Sequence, residues 1–198
     1  GTMEDFQHLL DKAHEAGFKV ILDWVANQTS PDNVWMTGKP ADFYERDSLG
    51  NAIYEYDWTD TRSLNYENEA VWDAQEDCMK FWLDRGVDGF RCDAAGEMPV
   101  KVWQKIVPDL RKQYPEAYFL AEAENPELAA VFDATYAWEL HHIMNGIAQG
   151  KKTVSDLREY IARDAENTPP EAFRLMFTSN HDENSWAGTE FERMGDAA

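Results

Sequence analysis

Cysteine is scarce: Cys78 and Cys92 are the only two in 198 residues, and neither lies in a CxxC or Cys/His arrangement. Nothing in their setting suggests zinc or a redox pair, and a disulfide framework is excluded. No run of about 18 consecutive apolar residues occurs, so no helical membrane span is expected. The opening residues, GTMEDFQHLL, lack the basic and apolar regions of a secretory signal. Low-complexity tracts and close repeats are missing too. Positive charge is sparse, with 18 Lys and Arg against 38 Asp and Glu and a formal net charge of −20. A phosphate backbone is bound by summed positive charge, so this balance argues against nucleic acid and favours a neutral substrate. Acidity of this kind also keeps a protein in solution.

What is present is an alternation of amphipathic helical stretches with short runs dense in Val, Ile, Leu and Phe. The first helix is expected over about Thr2 to Ala16, with Thr2 and Asp5 spaced as a capping box and Gly17 as its stop. A buried strand is expected over Phe18 to Trp24. A long polar and aromatic segment follows, from about Val25 to Tyr66, too long for an ordinary connection in a compact α/β unit. It reads as a small inserted subdomain, residues 26–66, within a single domain covering 1–198. Helical spacing resumes at Val71 and stops at Gly86, and strand Val87 to Cys92 comes next. A helix over Val100 to Lys112 contains Pro108, which should kink or divide it. Strand Tyr118 to Ala121, an apolar piece at Val131 to Tyr136, helices at Trp138 to Ala148 and Val154 to Ala165, and strand Arg174 to Thr178 complete the chain. Five strands alternating with helices imply a parallel sheet, doubly wound or closed into an eight-stranded barrel.

Four of the hydrophobic runs end alike: ILDW, GFRCD, YFLAE and FTSNHD each carry a carboxylate at the C-terminal edge. A lone Asp after a strand is usually a helix cap. Four together match the way a (β/α) barrel builds its active site at the C-terminal face from several strands, which would bring Asp23, Asp93, Glu122 and Asp182 together. Glycoside hydrolysis needs one protonated and one ionised carboxyl group flanking the scissile bond, and this set offers both. Arg91, two residues before Asp93, shares its strand face and would keep Asp93 ionised.

The segments AHEAGFKVILDWVANQTS, GVDGFRCDAAGEMP, FLAEAENPEL and FTSNHDENSW resemble, in order, the four signature regions of the alpha-amylase family. The resemblance implies a partial (β/α)8 TIM barrel with a small inserted subdomain after the first strand of the fragment. It implies a retaining alpha-glycosidase acting on starch-like or malto-oligosaccharide alpha-glucans. By the same resemblance Asp93 matches the nucleophile, Glu122 the general acid/base and Asp182 the third carboxylate that stabilises the transition state. Arg91, His181, Asn180 and Asp23 match residues that contact or order the sugar site. A retaining pair lies about 5 to 5.5 Å apart, and Glu122 must start protonated beside an ionised Asp93.

The pattern is also broken in places. Gln28 follows Asn27 where the family has His, so it should still donate a hydrogen bond but carry no charge. Gly96 and Glu97 replace a Lys-His pair, which removes a substrate lysine and a calcium-liganding position. Asn27 matches another calcium ligand, so calcium is admitted but no cofactor is required. TRSLNYEN resembles a secondary signature, with Ser63 where Asp is common and Asn65 retained. A closed barrel takes about 250 residues and eight strands. By the resemblance, the chain is expected to lack the first two strands of the barrel and the eighth, leaving barrel edges open to association with another chain. Among the eight tryptophans, Trp72, Trp82 and Trp103 are expected in the core, and Trp35, Trp58 and Trp186 in loops as sugar platforms. Two further readings keep part of this picture: a glycosyl-transferring relative that processes sucrose or trehalose, and a catalytically silent carbohydrate-binding fragment. A secreted or periplasmic location is favoured over the cytoplasm.

Overall fold

A computed structural model describes residues 1–198. The chain divides into two compact units, Gly1–Glu122 and Ala123–Ala198. In the first unit, helix α1 (Met3–Glu15) opens on the capping box read from the sequence: the Asp5 amide donates to Thr2 Oγ1 at 3.1 Å and the Thr2 amide to Asp5 Oδ2 at 2.7 Å. These bonds satisfy amides that the first turn of a helix leaves unpaired. Strand β1 (Ile21–Val25) follows, then β2 (Gln28–Thr29), α2 (Trp35–Gly38), β3 (Arg62–Ser63), α3 (Glu69–Leu83), β4 (Gly89–Asp93), α4 (Val100–Gln113) and β5 (Tyr118–Ala121).

Strands β1, β4 and β5 form a parallel sheet in that order, with Asp23 opposite Arg91 and Cys92 opposite Ala121. β4 is the middle strand of these three and is buried along Phe90 and Cys92, with the Phe90 ring against Trp24 of β1 and Phe119 of β5; Trp103, Ile106 and Val107 of α4 are fully buried as well. β1 differs from the buried strand expected over Phe18 to Trp24. It begins three residues later, and Phe18, Ile21 and Val25 are exposed. The reason is its position at the edge, where β4 covers one side alone. Helix α4 also departs from expectation, because it runs unbroken through Pro108. Residues 26–66 contain the antiparallel β2–β3 pair and bury Phe43, Tyr44, Leu64 and Tyr66. Two-residue strands are too short to leave a periodic trace in a sequence.

Asp88, just before β4, ties α1 to the sheet. Its carboxylate accepts from the Val20 amide at 2.8 Å and from Lys19 Nζ at 2.9 Å, and meets His14 Nε2 at 2.6 Å. Burial pushes this carboxyl up, but the Val20, Lys19 and His14 contacts outweigh it and hold it below its ordinary range. A depressed native value stabilises the fold above the unfolded value, near pH 4, and the gain is lost as pH falls through the native value. Asp88→Asn is expected to lower stability at pH 7 by about 1 to 2 kcal/mol, through lost charge-assisted bonds. It should also flatten the acid limb of the urea midpoint plotted against pH, and an unchanged limb would refute the assignment.

The second unit holds α5 (Pro126–Ala129), β6 (Ala134–Tyr136), α6 (Trp138–Ala148), α7 (Val154–Asn167), β7 (Phe173–Leu175), α8 (His181–Trp186) and α9 (Glu190–Met194). β6 and β7 are parallel, with Thr135 opposite Arg174. Arg174 donates to Thr135 Oγ1 at 2.5 Å and to Asp164 of α7 at 2.7 Å, locking that helix to the strands. Leu140 and Ile143 of α6 pack with Tyr160 of α7 in a local core. No helix is long and apolar enough to cross a membrane.

Candidate active site

The parallel register places Asp23, Arg91 and Asp93 on one face of the first unit's sheet: Asp23 lies opposite Arg91, and Asp93 is two residues further along β4. Glu122 follows the last residue of β5, and its amide donates to the Cys92 carbonyl at 2.9 Å, so it extends the ladder beside Asp93. Arg91 binds all three carboxylates. Its Nη1 lies 2.6 Å from Asp93 Oδ1 and 2.8 Å from Asp23 Oδ1, and its Nη2 lies 2.8 Å from Glu122 Oε1. The period of two along β4 pairs Arg91 with Asp93. The structure adds Glu122 and Asp23, because both strands neighbouring β4 present acids at the height of the guanidinium. A planar fork with five donors can serve three acceptors at once.

A second element holds Glu122. Ala94, the residue after Asp93, has a left-handed backbone with φ of 44°, uncommon for a residue with a Cβ. The conformation turns its amide toward Glu122 Oε2, to which it donates at 2.9 Å. Trp103 of α4, fully buried, donates from Nε1 to the Ala95 carbonyl at 3.1 Å and anchors the same turn. Strain of this sort persists where surrounding packing enforces it, and it clusters at functional sites. Sequence reasoning missed Ala94, since a backbone conformation leaves no compositional signal. Cys92, between the site residues, faces the opposite side and is fully buried. Burial pushes its thiol up, which removes it as a nucleophile.

In the second unit, Asp182 lies in the first turn of α8, with His181 Nε2 3.5 Å from its Oδ2. Asn180 caps that helix: its side-chain oxygen accepts from the Glu183 amide at 2.8 Å. Glu183 turns inward to His141, a buried pair that the sequence reading did not single out. Gln28 lies on β2 opposite Ser63. Asn27 is buried, and its amide nitrogen donates to Glu55 Oε2 at 3.2 Å. Calcium takes six to eight oxygen ligands. No group of three or more acidic, His or Cys side chains is gathered to hold a metal.

Among the aromatic candidates, Trp72 is buried with its Nε1 donating to the Tyr66 carbonyl, and Trp103 is in the core. Trp82 packs edge-on against Phe6. Trp35 and Trp186 are helical, not in loops; Trp35 packs against Phe43, whereas Trp186 is exposed. Trp58 packs against Tyr56, whose hydroxyl donates to Glu97.

Parallel βα units with acidic residues at the C-terminal ends of the strands, gathered on a shared arginine, define a βα-barrel protein that works with carboxylates. The family model described as alpha amylase, catalytic domain, matches residues 1–51 and 47–195. The chain belongs to the alpha-amylase family. It is 31% identical over 153 residues to alpha-amylase 3 of Dictyoglomus thermophilum, covering 64% of this chain and 31% of that protein. It is 36% identical over 135 residues to the alpha-1,4-glucan:maltose-1-phosphate maltosyltransferase of Arcanobacterium haemolyticum, covering 65% of this chain and 19% of the other. Among solved structures, an alpha-amylase from Lactobacillus plantarum superposes with a TM-score of 0.86 at 32% identity, over 92% of this chain and 47% of that one. The chain spans less than half the length of each of these relatives. Its fold is accordingly a partial (β/α)8 barrel.

Proposed function

We propose that this chain carries the catalytic centre of a retaining alpha-glycosidase that cleaves alpha-glucosidic bonds of starch-like or malto-oligosaccharide substrates. The observation that carries the reading is the pair Asp93 and Glu122, held side by side on adjacent strands by Arg91. In this reading Asp93 attacks the anomeric carbon and forms a glycosyl enzyme, and Glu122 protonates the departing oxygen and then activates water. Asp182, with His181, stabilises the charge that develops on the sugar ring. A protonated Glu122 has no charge to pair with the guanidinium, so proton uptake by Glu122 entails giving up its ion pair with Nη2. The Ala94 amide remains to orient the protonated group. Asp23 orders the cluster by sharing Nη1, and Gln28 and Asn180 are proposed to contribute polar contacts near the substrate.

An alpha-configured 2-fluoro glucosyl fluoride is expected to label the chain covalently on Asp93, located by peptide mapping. Label on another residue would overturn the nucleophile assignment. The Arcanobacterium relative, named as a maltosyltransferase, favours a second reading in which the glycosyl group passes to a sugar acceptor in place of water. Product analysis with and without added maltose separates the two, because transfer lengthens the products only when acceptor is supplied.

A further inference from the structure

Asp182 leaves a helix that cannot hold itself. α8 has six residues, far below the length at which a helix is stable unaided in water. Its direction is therefore set by anchors, and the deepest of these is Glu183, the residue next to Asp182. The Glu183 side chain is 11% exposed and its Oε2 lies 3.0 Å from Nε2 of His141, which is 1% exposed on α6. That ring is itself fixed. It stacks on Phe177 with centroids 4.6 Å apart and planes 19° from parallel, its Nδ1 lies 3.3 Å from the Phe177 carbonyl, and Asn145 Nδ2 is 3.1 Å from Nε2. At 3.6 residues per turn, consecutive helical side chains diverge by about 100°. With Glu183 pinned inward, Asp182 must point elsewhere, and its side chain is 30% exposed.

We propose that His141 and Glu183 are positioning residues for Asp182: the buried pair fixes the rotation of α8 and thereby the direction in which the Asp182 carboxylate is presented. The inference rests on the reading of Asp182 as the carboxylate that stabilises the transition state. A neutral hydrogen bond suffices for the anchor, whereas an apolar residue removes it. Replacing both partners of a buried pair restores packing without restoring direction.

The test uses the 198-residue chain, a chromogenic alpha-maltoside and amide NMR spectra. His141→Phe is expected to lower kcat by about tenfold or more with KM within about twofold, as for a contact used in the transition state. Glu183→Gln, whose amide oxygen still accepts from the ring, should stay within about threefold of the parent. The double variant His141→Phe/Glu183→Leu should regain the parent's urea midpoint but not its kcat; recovery of kcat would show a merely structural pair and overturn the proposal. The His181 and Asp182 amide resonances should move in His141→Phe and stay in Glu183→Gln, and unmoved resonances in His141→Phe would also overturn it. If Asp182→Asn leaves kcat unchanged, or the parent has no activity, the functional reading fails by itself, and the amide shifts still decide whether the pair sets α8.

Discussion

Glu122→Gln is expected to lower kcat/KM on an unactivated alpha-maltoside by about 10² to 10⁴-fold, the range over which a positioned general acid/base contributes. The loss should depend on the leaving group. A dinitrophenol departs without a proton, so the step that forms the glycosyl enzyme on Asp93 needs no acid and should be nearly spared. The second step still needs a base, and glycosyl enzyme should therefore accumulate, visible as a burst of released phenol followed by slow turnover. The structural ground is the double hold on this side chain, by Arg91 Nη2 at one oxygen and the Ala94 amide at the other. A glutamine of the same shape can keep the second contact but cannot carry the proton cycle. Equal losses on both substrates, with no burst, would refute the assignment of Glu122.

The second large effect is on folding. Gly89 opens β4 with φ of 153°, and a Cβ built there would collide with the Tyr118 carbonyl oxygen and stand 2.7 Å from its carbonyl carbon. Both belong to the backbone of β5, which cannot step aside as a flexible side chain can. β4 is also the strand that carries Arg91 and Asp93 between its two neighbours. Gly89→Ala is expected to cost on the order of 3 kcal/mol or more, among the larger single-residue effects, read from the urea midpoint. A change below about 1 kcal/mol would mean that β4 and β5 separate easily, against the close approach of Gly89 to the Tyr118 backbone.

Much of the site's membership was legible before any coordinates. The residues of GFRCD alternate faces with a period of two, so Arg91 and Asp93 had to share a side of their strand. The acids at the ends of ILDW and YFLAE then fell beside them once the strands were parallel. Less was legible at the margins. Edge exposure of β1 depends on which strands are neighbours, and the unbroken course of α4 through Pro108 depends on packing along its whole buried face, from Val102 to Leu110. The helical setting of Trp35 and Trp186 was missed because helices of four and six residues are shorter than the windows in which a period shows.

By itself the amino-acid order determined the βα alternation, the strand-end carboxylates and the family, since all three follow from patterns local to a few residues. Only the tertiary structure decided that one guanidinium serves three acids, that the Ala94 amide grips Glu122, and that His141 meets Glu183, 42 positions away. Contacts of that kind depend on strand register, a left-handed backbone turn and the packing of distant helices, and no local pattern of side chains encodes them.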